Sequence, residues 1–259
     1  MEKLSNVGRI FFSTAIAGLG IQTIYYHDFP YMLIPPNHLS ISILSMLTYI
    51  SGSMLILAGA CIVFKIQTRT ISLLLGSVLL LIFCFYYVPY EFTVSSNFMH
   101  LGEWENALKE LALSSGAFVV AGSISGKSEN SFIRVLTKFI PFGAIVFSMT
   151  MICFGIGHFL YAKDASEYIP SWISNRMFWT YLAGIALIGS GIAIILKIKP
   201  GLIACLLGGM IFIWFIILHI PKVMESPLAD RGGEITSALL ALAYSGIAFI
   251  IAGRLKDNN

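Results

Sequence analysis

The sequence predicts an all-α polytopic membrane protein of eight transmembrane helices. They are arranged as two tandem four-helix bundles, related by a pseudo-two-fold axis along the membrane normal. Three observations predict this: an apolar composition, eight apolar segments of spanning length, and an internal repeat of about half the chain.

Apolar residues make up 57% of the chain and charged residues 11%, with a mean hydropathy of +0.85. A soluble domain averages about 45–50% apolar and about 25% charged residues. A bilayer-spanning helix needs roughly 20 mostly apolar residues. Segments near 9–26, 41–64, 70–90, 104–124, 138–161, 176–196, 201–220 and 233–253 meet that need. They leave no room for a soluble domain of useful size.

The repeat is visible in residues that match rarely by chance. At an offset of 135, Gly20, Tyr26 and Pro35 fall on Gly155, Tyr161 and Pro170. At 132, Tyr49, Gly52, Gly59, Gly76 and Pro89 fall on Tyr181, Gly184, Gly191, Gly208 and Pro221. At 131, Gly102, Glu103, Phe118 and Gly122 meet Gly233, Glu234, Phe249 and Gly253. The offset shrinks only in apparent loops, as a duplication with small deletions requires. The units are 1–126 and 127–259, joined by a short polar linker, Ser125–Thr137. An even number of helices per unit returns the chain to its starting side, so both units share one orientation.

Each segment carries its own signals. The first follows Lys3 and Arg9, as a signal peptide would. Its counterpart at 138–161 is mid-chain, so the first is expected to be a retained helix. Gly52 and Gly59 in the second segment and Gly184 and Gly191 in the sixth sit where helices can approach closely. Pro89 and Pro221 are expected to end the third and seventh. The fourth opens with Glu103, Trp104, Glu105, Asn106, Lys109 and Glu110, the most polar stretch in any span. Glu103, Asn106 and Glu110 follow i, i+3, i+7 spacing and are expected on one face. Glu105 precedes Lys109 by four, the favourable order for a helical ion pair.

Sidedness follows from Lys and Arg. Lys3, Arg9, Lys65, Arg69, Lys127, Arg134, Lys138, Lys197, Lys199, Arg254 and Lys256 fall on one side. Both termini are therefore expected in the cytoplasm. The basic residues are scattered and topological, which excludes a nucleic-acid partner and leaves the lipid bilayer as the evident one. His27, His38, His100, His158 and His219 all map to the outer side, with most acids and tyrosines. Any functional site is expected there.

The sequence excludes several chemistries. Cys61, Cys84, Cys153 and Cys205 lie inside spans without a CxxC pair, unlike a membrane disulfide-exchange enzyme. No HxxH, HExxH or CxxCH is present, so no metal or intrinsic cofactor is indicated. The candidate ligand-binding or proton-relay residues are Lys109, Glu110, Glu103, Asn106 and Glu234, with His158 and His219 opposite. An ionisable side chain within a span costs roughly 2.5–3.5 kcal/mol at the centre and marks a functional site by default. The second unit keeps Glu234 but has Leu240 and Ala241 where the first has Lys109 and Glu110. The two units are therefore not equivalent.

The duplicated four-helix unit, the pattern around Gly18-Leu-Gly20 and the string Trp104-Glu-Asn-Ala-Leu-Lys-Glu-Leu-Ala-Leu-Ser-Ser-Gly-Ala-Phe118 resemble the DoxX family of small bacterial membrane proteins. The resemblance spans both units, with the more specific motif in the first. Family members are usually a single four-span unit; this chain looks like a fused pair. Some relatives are subunits of thiosulfate:quinone oxidoreductase or associate with oxidoreductases. The resemblance thus implies an accessory subunit of a membrane redox system, with quinone as ligand and a membrane or periplasmic redox protein as partner. The residues alone leave two other readings open. One is a transporter or binding protein for a small lipophilic or anionic solute; the other is a ligand-free assembly factor.

Overall fold

The computed structural model describes residues 2–35, 40–95, 97–126, 130–225, 228 and 232–255. It is helical throughout, with no strand among the described residues. His38, Lys127 and Lys256, used above to argue sidedness, lie outside the described residues.

Nine helices follow in order among the described residues. They are α1 (Glu2–Tyr26), α2 (Ile41–Val63), α3 (Thr68–Thr93) and α4 (Glu105–Ser123). Then come α5 (Ser131–Leu160), the short α6 (Ala162–Tyr168), α7 (Arg176–Ile195), α8 (Pro200–Glu225) and α9 (Gly233–Arg254). Seven of them, all but α4 and α6, are long and apolar enough to cross a membrane. α4 has a comparable length of 19 residues. Glu105, Lys109 and Glu110 in its opening turns lower its hydropathy, and burial rather than lipid surrounds most of it.

Packing places the most buried helices centrally. α1 lies along both α2 and α9, α5 along α7 and α4, α3 along α4, and α8 along α9. α4 and α9 also touch each other. The segments 1–126 and 127–259 are thus in extensive contact: the first helix packs on the last, and α4 packs on the helix that follows it. The core runs through Phe12, Ile16, Leu19, Leu113, Val120, Ile247 and Ile251, all 1% exposed or less. The opposite faces of α2, α3, α7 and α8 expose large apolar side chains such as Leu57, Phe85, Ile185 and Ile213, as lipid contact requires.

Small residues make these approaches possible. A Cβ on Gly20 would sit 2.5 Å from the Gly52 carbonyl, and one on Gly155 would sit 2.8 Å from the Gly184 carbonyl. Gly59 meets the Ser13 carbonyl and Gly191 the Ser148 carbonyl at similar range. The glycines expected to allow close helix contact do so.

Three expectations change. Pro89 and Pro221 do not end their helices: α3 runs on to Thr93 and α8 to Glu225. Each proline follows a single π-helical turn, Phe83–Tyr87 or Phe215–His219. A proline ring clashes with the carbonyl four residues earlier. Here that carbonyl belongs to Phe85 or Ile217, inside the wider turn, and the helix absorbs the ring. The linker Ser125–Thr137 is also shorter than expected. Helix begins at Ser131, capped by Asn130, whose Oδ1 accepts from the Phe132 amide at 2.8 Å. Lastly, Glu103 stands outside α4, in the turn before it, where its amide donates to the His100 carbonyl at 3.1 Å. It therefore shares no helix face with Asn106 and Glu110.

Candidate functional site

The two ends of the bundle differ. At the proximal end, which holds the start of α1 and the end of α9, short turns dominate, and Arg69 donates to the Ile124 carbonyl at 2.7 Å. The distal end holds the longer connections and His27, His100, His158 and His219. A cavity of about 310 Å³ opens there, between the end of α1, the loop after it, α6 and the first turns of α4 and α9.

Local interactions build its walls. Gln22, buried near the end of α1, donates through Nε2 to the Gly232 carbonyl at 2.8 Å and to the Thr236 hydroxyl at 2.7 Å. This fastens α1 to the first turn of α9. Gly232 takes a φ of +79°, a conformation that glycine adopts freely. α1 stops at His27, itself at a φ of +51°. Asp28 then caps the next turn, accepting from the Phe29 amide at 2.8 Å. Phe29, Met32 and Leu33 turn into the core and anchor the loop.

The entrance to α4 is held from outside. The Gly102 amide donates to the Tyr161 hydroxyl at 3.0 Å, and Trp104 Nε1 donates to the Phe98 carbonyl at 2.8 Å. Asn106 and Lys109 then face the cavity from α4, and Glu234, Thr236, Ser237 and Leu240 face it from α9. Tyr26, Phe29, Tyr31 and Tyr168 add aromatic wall. The ammonium of Lys109 pairs with Glu105 at 2.6 Å, the ion pair expected from spacing. The Tyr244 hydroxyl donates to the Lys109 carbonyl at 3.1 Å, tying α4 to α9 under the cavity. One carboxylate oxygen of Glu234 is buried without a hydrogen-bond partner.

The structure thus brings together three of the seven residues that the sequence singled out: Asn106, Lys109 and Glu234. Their donors and acceptor surround one space, with apolar wall from Phe29, Met32 and Leu240. Such a mixture suits a flat or compact molecule with hydrogen-bonding groups at its edge.

The other four lie elsewhere. Glu103 is exposed in the turn before α4. Glu110 is fully buried and does not line the cavity. His158 bonds within its own helix, Nδ1 to the Phe154 carbonyl at 2.8 Å, and lies against Gly184 of α7. It does not line the cavity. His219, in the π-turn of α8, is outside the lining; its Nδ1 is buried without a partner. Among the described residues no group of three or more His, Cys, Asp or Glu is placed to hold a metal ion.

Gln22 and Asp28 escaped the sequence reading. A buried amide near the end of an apolar span was the available signal for Gln22. Asp28 had none beyond its place after a helix end. No protein-family model, no curated protein and no solved structure matches the chain.

Proposed function

We propose that this chain is a bacterial inner-membrane protein that receives the headgroup of a quinone in the distal cavity. It would act as an accessory subunit of a membrane redox system of the kind to which DoxX-like proteins contribute. The distal end would face outward, with both termini in the cytoplasm. The observation that carries this reading is the convergence of Asn106, Lys109 and Glu234 on one cavity. Quinone carbonyls accept hydrogen bonds, which the Lys109 ammonium and Asn106 amide supply. The unpartnered oxygen of Glu234 accepts from the hydroxyl of the reduced form. Phe29, Met32 and Leu240 cover the ring.

Passage of a solute through the bundle is less well supported. Below the cavity, the contact among α1, α4 and α9 is filled by Phe12, Ile16, Leu113 and Ile247.

A duplicated origin, as two interlocked four-helix units, fits several local correspondences. The π-turns Phe83–Tyr87 and Phe215–His219 are 132 residues apart. Ser114 donates to the Gly76 carbonyl and Ser245 to the Gly208 carbonyl, at 2.8 and 2.9 Å. Lys65 and Gln67 share left-handed backbone with Lys197 and Lys199. On this origin, α4 and α9 are counterparts, and only α4 kept the lysine that faces the cavity.

The test is titration of the purified chain in mild detergent with a short-tailed ubiquinone analogue, followed by calorimetry. Saturable binding at one site, weakened by Asn106→Leu, is expected. Wild-type protein that takes up no analogue, and carries no quinone on extraction, would overturn the proposal.

A further inference from the structure

Behind Lys109, on another face of α4, lies a second polar group that the cavity does not use. Glu110 is 0% exposed, and neither of its carboxylate oxygens has a hydrogen-bond partner. Buried polar groups are nearly always partnered, and an orphan asks for an unseen proton, ion or water. Nearby, Glu91 on α3 is 4% exposed and also has an unpartnered oxygen. α4 packs on the π-turn that Tyr87 ends, and Glu91 stands one helical turn further along α3. Next to Glu91, the Phe92 ring meets Trp104 at 5.5 Å, which brings the end of α3 to the turn that carries the exposed Glu103. We infer that Glu110 is a proton-binding site that exchanges with the distal surface by way of Tyr87 and Glu91.

The chemistry of the surroundings selects a proton. No described cluster can hold a metal. The neighbouring ammonium, Lys109, is committed to Glu105 and faces the cavity. The Tyr87 hydroxyl already donates to the Tyr31 carbonyl, so it offers lone pairs. Tyr87 also ends a π-turn, a local irregularity frequent at functional sites.

The other elements packed on α4 add few charges. α9 presents Tyr244, whose hydroxyl is bound to the Lys109 carbonyl. α5 meets α4 through Gly143 and Phe139, and its end holds Gly102 through Tyr161, beside His100. Exchange moves no electrons. As an O–H bond breaks on Glu91 one forms on the Tyr87 oxygen, and as the original Tyr87 O–H breaks one forms on a Glu110 oxygen; hydronium at the distal surface reloads Glu91.

This inference stands apart from the quinone reading, because Glu110 does not line the cavity and the test contains no quinone. Infrared difference spectra would be recorded on the solubilised full chain as the buffer is stepped between acid and alkaline. A carboxylic C=O band should appear in acid, vanish in Glu110→Gln, persist in Glu103→Gln, and rise more slowly in Glu91→Gln and Tyr87→Phe. A band that survives Glu110→Gln, or equal rates in every variant, would overturn the inference. Should Glu110→Gln not fold, wild-type protein is treated with dicyclohexylcarbodiimide, which attacks protonated carboxyls in apolar surroundings. An adduct on Glu110 that forms in acid and declines in alkali supports the site. No adduct on Glu110 at any pH refutes it.

Discussion

The hydroxyl of Tyr87 donates to the backbone carbonyl of Tyr31, joining the π-turn of α3 to the loop that walls the distal cavity. Tyr87 is 1% exposed, whereas Tyr31 borders the cavity. Tyr87→Phe should therefore destabilise the fold by about 0.5–1.5 kcal/mol, the usual net contribution of one hydrogen bond. Thermal unfolding in detergent measures this. Hydrogen exchange over residues 28–35 should rise in the same variant, because the loop loses its tie to α3. Unchanged exchange there would show that Phe29, Met32 and Leu33 suffice to hold it.

Glycines separate into two groups with opposite expectations. At Gly20 an added Cβ meets the Gly52 carbonyl at 2.5 Å, whereas at Gly189 and Gly209 nothing lies within 4 Å. Gly20→Leu forces α1 and α2 apart and should cost at least the roughly 1–3 kcal/mol typical of overpacking. Gly189→Ala adds no contact but gains helix propensity, about 1 kcal/mol in stability. Unfolding midpoints of the two variants should move in opposite directions.

Much of this was legible in the sequence, for physical reasons. Seven of the eight expected span positions match helices apolar enough to cross a membrane, because a helix in lipid must present apolar side chains; the segment 104–124 forms α4, which falls short. The Glu105–Lys109 pair follows from helical spacing, which is local. The continuation of α3 and α8 past Pro89 and Pro221 was not legible. Proline in isolation reads as a stop, and the π-turn that absorbs it depends on the packing around Tyr87 and His219. Membership of the site failed in the same way. His158 and His219 share an end of the bundle, but a common depth says nothing about which neighbour a side chain meets. His158 turned to its own helix. Gln22 became a wall residue because α1 packs on α9, some 210 residues away, and no local pattern encodes that partner.

That long-range contact makes its own prediction. Gln22 supplies the two hydrogen bonds that fix the end of α1 to Gly232 and Thr236. Gln22→Leu keeps the bulk and removes both donations. The Gly232 carbonyl keeps the Thr236 amide and hydroxyl as donors, so the cost is that of two lost hydrogen bonds, about 0.5–1.5 kcal/mol each. Binding at the cavity should weaken too, since Thr236 and Glu234 move with that turn. Thr236→Val removes one of the two bonds and should show a smaller loss of stability. Calorimetric unfolding of the two variants gives the order.

Lys109 allows stability and binding to be pulled apart. Its pair with Glu105 is partly exposed, 26% and 56% for the two side chains. Such i, i+4 pairs contribute only about 0.3–0.5 kcal/mol. The bond that places the Lys109 backbone comes from Tyr244 and does not involve the lysine side chain. Lys109→Met should therefore unfold at nearly the wild-type temperature while losing affinity for the quinone analogue. Glu105→Gln should also unfold normally, but it releases the ammonium, already at the cavity, from its ion pair, so its affinity should equal or exceed that of the wild type. Titration of both variants decides the matter. Weakened binding in Glu105→Gln would mean that the carboxylate, by orienting Lys109, is itself part of the site.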